Sequence, residues 1–354
     1  MIELKNVTKV FNLTGNELDR RVALDHVNLT INDGEFVTII GSNGSGKSTT
    51  MNIISGSLFP DEGRVILSGM DITDMKEHQR AKYFGRVFQD PMMGTTAEMS
   101  CLENLEIAYR RGKFHSPIKW GFSNNIVKLY YKRLLSEFSL GLEDRLNQKV
   151  GVMSGGQRQA LTLLMAATDP RLDTKAEFIK MYLDVHTGEL RAKITKDTPK
   201  EEKQRIRKEI QQIRSKGRKV TEAFYDERLE EYKKALAVAK NDDEKLDAYI
   251  AFGNALHEYN QDRRILLLDE HTAALDPKTA KKVLDLTDKI VRDNKLTTFM
   301  ITHNMRDAIT YGDRLIMFHS GHIIYDVRGE EKKKLTVEKL LKLFNEADEL
   351  AELD

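Results

Sequence analysis

The sequence predicts an α/β fold: a largely parallel sheet with helices on both faces, preceded by an antiparallel β-portion. Three observations predict it. Short apolar runs of strand length alternate with amphipathic helical segments, the order expected of a parallel sheet covered on both sides. A glycine-rich turn links one such apolar run to a helix at residues 41–48. A long Lys- and Glu-rich stretch, from about Arg171 to Asp262, differs from both flanks and reads as a helical insertion.

The elements follow in chain order. Residues 2–40 read as β-structure. Val22 to Ile31 alternates apolar and polar residues, Asn32-Asp33-Gly34 turns the chain, and Glu35 to Ile40 is a buried strand. Lys47 to Ser55 reads as a helix; Gly63 to Ser68 and Tyr83 to Phe88 read as strands. From Met99 to Ala167 the pattern is helical, clearest over Ile126–Phe138 and Gln157–Ala167. Ile265–Leu268, Thr297–Thr302 and Arg314–Phe318 are strands, Lys278–Arg292 is an amphipathic helix, and Val337–Leu350 is another.

In the charged stretch, Thr198 is placed to cap a helix with Pro199 in its first turn. Ile206, Ile210 and Ile213 begin an apolar stripe, which Val220, Phe224, Tyr232 and Leu236 continue after an interruption near Gly217. Asn241 and Asp242 break it, and Leu246 to Tyr259 resumes. The expectation is a helical hairpin or small bundle with a charged exterior. The flanking sequence reads on if Pro170 is joined to Arg263 or Arg264.

Composition narrows the function. The 354 residues are 40% hydrophobic, enough for a sizeable core, and carry a formal net charge of +1, so no global basic field points to nucleic acid. Cys101 is the single cysteine, which excludes an intrachain disulfide and a cysteine-rich metal site. Met1 to Val10 reads as a strand and not as a targeting segment. No run of about 18 apolar residues occurs, so a membrane role is expected to come through a partner.

Three elements carry chemistry. Gly41-Ser42-Asn43-Gly44-Ser45-Gly46-Lys47-Ser48, followed by Thr49, matches the phosphate-loop pattern with a strand before it and a helix after it. Glycines let backbone N–H groups face an anion, the helix N-terminus adds positive potential, Lys47 neutralises terminal phosphates and the Ser48 hydroxyl suits magnesium. Ile265-Leu266-Leu267-Leu268-Asp269-Glu270 delivers two acids at a strand's carboxyl end: Asp269 for a metal, Glu270 to polarise an attacking water. Ser154-Gly155-Gly156-Gln157 precedes a helix. Alone it reads as a flexible cap; its hydroxyl and N–H groups also suit the γ-phosphate of a second nucleotide.

In chain order, with Ser154-Gly155-Gly156-Gln157 between the other two, the three elements resemble the motifs of ATP-binding cassette (ABC) transporter ATPases, with Met153 where the family usually has leucine. The resemblance covers roughly residues 1–170 and 263–330. It implies a P-loop NTPase core with an antiparallel β-subdomain and a helical signature subdomain at about residues 95–168. Residues 171–262 are then an inserted charged helical arm, and residues 331–354 a C-terminal helix. It also implies that Gln89 reaches magnesium and couples to a membrane partner, that Asp276 in Ala274-Leu275-Asp276 lies on a dimer-crossing loop, that His303 contacts the γ-phosphate and that Phe11 stacks on adenine.

The same resemblance implies ATP and Mg2+ as cofactors. The partners it implies are a second copy bound head to tail, an integral membrane permease and an extracellular substrate-binding lipoprotein, with no nucleic acid. It places the chain at the cytoplasmic face of the plasma membrane. The strings Phe88-Gln89-Asp90-Pro91-Met92-Met93-Gly94-Thr95 and Asp269-Glu270-His271-Thr272-Ala273-Ala274-Leu275-Asp276-Pro277 look like bacterial importer cassettes that serve branched-chain-amino-acid-type permeases, with tryptophan or tyrosine as cargo. A soluble ABC ATPase acting on nucleic acid or ribosomes, an exporter subunit and a catalytically dead scaffold are the alternatives. The dead scaffold is disfavoured by the presence of Lys47, Glu270 and His303.

Overall fold

The computed structural model describes residues 1–12, 20–109, 125–167, 175–194, 198–260 and 265–351. In chain order the first elements are β1 (Ile2–Asn12), β2 (Arg20–Ile31), β3 (Phe36–Gly41), α1 (Lys47–Ser55), β4 (Glu62–Leu67), β5 (Met70–Asp71), α2 (Glu77–Arg80) and β6 (Phe84–Val87). The helical block follows as α3 (Cys101–Tyr109), α4 (Asn125–Ser136) and α5 (Gly155–Ala167). The insertion holds α6 (Lys175–Ala192), α7 (Lys200–Val238) and α8 (Asp242–Asn260). The chain then runs β7 (Ile265–Asp269), α9 (Pro277–Asp293), β8 (Thr297–Ile301), α10 (Met305–Thr310), β9 (Arg314–His319), β10 (His322–Arg328), α11 (Gly329–Lys333) and α12 (Val337–Ala351).

Two sheets form. One is antiparallel in the order β2-β1-β4-β5; the other, in the order β10-β9-β3-β8-β7-β6, is parallel except where β10 pairs with β9. β3, β7 and β8 are buried on nearly every residue because both faces are covered. One face buries Val37, Ile39, Leu267, Phe299 and Ile301 with Met51 and Ile54 of α1 and the antiparallel sheet. The other packs Leu266, Leu268 and Met300 against α5 and α9. Gly85 permits the α5 contact: a Cβ there would lie 2.1 Å from the Ala166 carbonyl oxygen.

α1 is held at both ends. Its N-cap Gly46 has φ 107°, and a Cβ there would meet the Ala23 carbonyl oxygen and the Leu24 side chain, each at 2.7 Å. At its other end the fully buried Arg80 donates from Nη1 to the carbonyls of Ile53 and Ile54 at 2.7 and 2.9 Å. Its Nε and Nη2 donate to the Met75 and Thr73 carbonyls. A cation on the last carbonyls of a helix satisfies orphan acceptors and complements the macrodipole.

Among its described residues the charged stretch is a small bundle of three helices, the second of the two expected arrangements. α7 is unbroken for 39 residues, about 58 Å, so Gly217 does not interrupt it. Gly217 faces α6 instead, where a Cβ would lie 3.0 Å from the Tyr182 ring. The helix starts at Lys200 without a side-chain cap, and the Thr198 hydroxyl donates to the Lys193 carbonyl rather than capping it. Asn241 does break the chain as expected and caps α8 by accepting from the Glu244 N–H at 2.8 Å. Phe178, Tyr225, Phe252 and Leu256 form the arm's own core.

Among the described residues, two elements of the arm pack on its host. α6 lies against β5 and α8 against α4. At the second contact Arg133 binds Asp247 and Asp243 at 2.6 and 3.2 Å, and Tyr130 packs on Tyr249. The expected join of Pro170 to Arg263 or Arg264 lies outside the described residues. At the C-terminus the single expected helix is two, α11 and α12, with the unforeseen strand β10 before them. Among the described residues, no helix is long and apolar enough to cross a membrane.

Candidate nucleotide site

The order β3-β8-β7-β6 decides what meets at the carboxyl edge of the parallel sheet. Strands about 4.8 Å apart bring to one line the loop after β3 (Gly41 to Ser48), His303 after β8, Asp269 and Glu270 at β7, and Gln89 after β6. The edge from Gly41 to Gln89 therefore spans about 14 Å.

The loop turns tightly. Ser45 N–H donates to the Ser42 carbonyl at 3.2 Å, and Gly321 N–H donates to the Ser45 carbonyl at 3.0 Å. Ser42, Asn43 and Gly44 are exposed; Gly41 is half-buried beneath them. Arg21 of β2 covers Gly44, its Nη2 only 2.3 Å from where a Cβ would stand. Lys47 is buried, and its ammonium donates to the carbonyls of Gly41 and Ser42 at 2.8 Å each. Burial lowers its pKa, while Glu270 and Asp269 pull the other way. The buried Ser45 hydroxyl has no hydrogen-bond partner, and no side chain caps α1. Exposed Ser48 and half-buried Thr49 occupy its first turn, whose N–H groups have no intrahelical acceptors. An orphaned hydroxyl, open N–H groups and a lysine resting on carbonyls fit a polyphosphate anion.

Glu270 is one of the few non-glycine residues with positive φ (47°), a conformation that costs energy and aims its side chain away from the strand direction. Its Oε1 lies 2.5 Å from Nε2 of His303. Glu270 is mostly covered, at 13% exposure, while His303 is 48% exposed. A carboxylate held by a histidine beside an open surface can accept a proton from water.

Asp269 pairs with a residue that sequence reasoning did not select. Arg86 of β6 donates from Nη2 to Asp269 Oδ2 at 3.2 Å. Its guanidinium stacks over the Phe88 ring, 4.7 Å from the centroid. Arg86, Asp269 and Gln89 line a cleft of about 700 Å3 with Asn52, Phe88 and Met93. Gln89 is exposed there. The only sequence signal for Arg86 was a charge inside an otherwise apolar strand.

The remaining residues lie elsewhere on the cassette. Ser154 and Gln157 form a reciprocal capping box: Gln157 N–H donates to the Ser154 hydroxyl at 3.3 Å, and Ser154 N–H to Gln157 Oε1 at 3.1 Å. Gln157 Nε2 also donates to the Leu140 carbonyl. Gly156 is buried against α9, where a Cβ would lie 2.4 Å from Thr279 Cγ2; half-buried Gly155 neighbours Leu275. Asp276 caps α9 by accepting from Thr279 N–H at 3.1 Å, and hydrogen bonds from the Thr279 hydroxyl and N–H lower its pKa. Phe11 is half-buried, paired across the ladder with Arg21, with Lys9 over its ring. The residues after it, 13–19, lie outside the described ones.

Comparisons with known proteins bear on the family and the fold. Residues 24–172 match the ABC transporter family. The chain is 34% identical over 349 residues to the tyrosine transport ATP-binding protein of Clostridioides difficile (strain R20291), covering 98% of this chain and all of that one. Two structures of the cassette MJ0796, a dimer and a post-hydrolysis dimer bound to ADP and Pi, share the fold with a TM-score of 0.55. Each is 23% identical, over 93% of this chain and 98% of theirs. Full-length similarity to an ABC transporter subunit and a phosphate loop beside an acid-bearing strand lead to one assignment: the chain belongs to the ABC transporter family, as its ATP-binding and ATP-hydrolysing subunit.

Proposed function

We propose that two copies assemble head to tail around two ATP–Mg units and drive a membrane permease that imports an amino-acid-like solute. The observation that carries the reading is the Glu270–His303 pair beside the phosphate loop at one sheet edge. In this reading Lys47 leaves the Gly41 and Ser42 carbonyls for the terminal phosphates. The N–H groups of residues 41–49 cradle the phosphates, and Phe11 stacks on adenine. Ser48, Gln89 and Asp269 would hold Mg2+, which would supply positive charge beside the phosphates. Glu270 orients the attacking water and takes its proton, and His303 holds Glu270 and faces the γ-phosphate.

Ser154 to Gln157 serve the nucleotide of the second copy, and Asp276 lies at the crossing. Both segments are surface caps, so they are available to a partner without unfolding a core. Exposed Met92 and Met93 beside Gln89 supply an apolar contact for a permease. Residues 1–170 and 263–330 are then the ATPase domain, with the helical subdomain at about 95–168, and 171–262 the inserted arm. An amino-acid-like cargo is favoured because the alignment with the tyrosine transport protein runs through the arm as well as the cassette. The chain then sits peripherally on the cytoplasmic membrane face, with a substrate-binding lipoprotein outside.

The test is affinity purification of Glu270→Gln from detergent-solubilised membranes with ATP. A stoichiometric multi-span protein with a lipoprotein is the expected result. Recovery only from the soluble fraction, bound to ribosomes or DNA, overturns the transporter reading.

A further inference from the structure

Asp269 is compensated from within the chain, and the group that compensates it is Arg86. The pair is closely surrounded: the side chains of Arg86 and Asp269 are 15% and 20% exposed. The guanidinium is fixed on three sides. It donates to Asp269, lies over Phe88, and places Nη1 3.5 Å from the Ser55 hydroxyl at the end of α1. Its Nε is buried without an acceptor, so the arrangement favours the carboxylate contact over full satisfaction of the guanidinium. Lys47 does not serve Asp269 directly, because its ammonium is bound to the loop carbonyls of Gly41 and Ser42.

The charges balance. Asp269 and Glu270 bring two negative charges; Lys47 and Arg86 bring two positive ones. A bare divalent cation gains little by entering such a neutral set and must compete with the guanidinium for the Asp269 carboxylate. A nucleotide triphosphate changes the balance, since its phosphates add negative charge and draw Lys47 away from the loop.

We propose that Arg86 is a placeholder cation: it orients and neutralises Asp269 in the nucleotide-free cassette and makes divalent-metal entry depend on nucleotide. This rests on the reading of Asp269 as a metal ligand. Arg86 is thus a positioning residue. Its planar fork lets one side chain pair with Asp269, stack on Phe88 and approach Ser55 together, a geometry that a lysine cannot fully reproduce.

The probe is Mn2+, titrated into the full-length protein with and without ATP and followed by the loss of free Mn2+ electron paramagnetic resonance signal. Without nucleotide, Arg86→Gln should bind Mn2+ about tenfold more tightly than the native chain, because one screened unit charge has been removed beside the metal position. Arg86→Lys, which keeps the charge, should stay within about twofold. Thermal unfolding in EDTA should show Arg86→Gln melting earlier, with Mn2+ restoring much of the loss. Asp269→Asn is the control and should abolish the ATP-dependent Mn2+ site. If Asp269→Asn does so while Arg86→Gln leaves nucleotide-free Mn2+ binding unchanged, the placeholder role is wrong and the metal reading stands. If Asp269→Asn leaves the ATP-dependent site intact, the metal reading fails and the placeholder role fails with it.

Discussion

Replacing Arg80 by Met tests whether a buried cation at the far end of α1 supports the phosphate loop at its near end. Arg80 is fully buried and makes four hydrogen bonds, all to main-chain carbonyls. Burial lowers its pKa to about 10, so the folded chain bears a desolvation cost that these bonds offset. Met fills much of the volume but donates nothing. Each buried carbonyl left without a donor costs about 1–3 kcal/mol, and relief of the desolvation cost returns part of the sum. The expected net loss is about 4 kcal/mol, comparable with breaking a buried charged pair. Equilibrium urea unfolding measures it, as a lower midpoint at constant slope. Arg80→Lys keeps the charge with a less suitable donor geometry and should lose about half as much. ATP affinity should weaken only a few-fold, since Gly46 and Lys47 remain anchored by their own contacts. A loss below about 1 kcal/mol for Arg80→Met would mean that solvent or rearranged backbone satisfies those carbonyls, and the anchoring argument would be refuted.

Three further outcomes are expected. Glu270→Gln should lower ATP hydrolysis by about 10²–10⁴-fold while keeping nucleotide binding, read by phosphate release and a fluorescent nucleotide; retained turnover would remove Glu270 from the base role. Gly85→Ala should cost about 1–3 kcal/mol because its Cβ meets backbone at Ala166 and not a yielding side chain, and an unchanged unfolding midpoint would contradict that packing. Burial lowers the His271 pKa to about 4, so between pH 4 and 6.5 the folded chain binds fewer protons than the unfolded one. Stability should therefore rise with pH across that window, and about 3 kcal/mol should be lost on acidifying through it. His271→Asn should flatten the dependence; an unchanged slope would assign it to other groups.

The strand–turn–helix of the candidate phosphate loop was legible because it is local: the glycines, Lys47 and the flanking elements are contiguous in sequence. Asp269 and Glu270 were legible for the same reason, at the end of a fully apolar strand. Arg86 was not, because its partner lies on a neighbouring strand far away in sequence and pairing across a parallel sheet leaves no local pattern. Gly217 misled because low helix propensity suggests a break, whereas its lack of a side chain serves the approach of Tyr182. Thr198 fitted the capping pattern, yet its hydroxyl serves the turn before the helix. Lys175 to Ala192 escaped as a helix because its apolar stripe is weak and the elements it packs against, α7, α8 and β5, lie far from it in sequence.

The strand order also carries a consequence for synthesis on the ribosome. β1, β2, β4 and β5 are complete once Asp71 has emerged, so the antiparallel sheet can assemble early. β6 cannot, because its neighbour is β7, in the register Gly85 opposite Leu266. At about 5–20 residues per second, the roughly 180 residues between them take on the order of 10–35 s to make. Through that interval an apolar edge waits for its mate while the arm, with its own core of Phe178, Tyr225, Phe252 and Leu256, is being made. An insertion that collapses on itself during the delay keeps its hydrophobic residues from competing for the waiting strand.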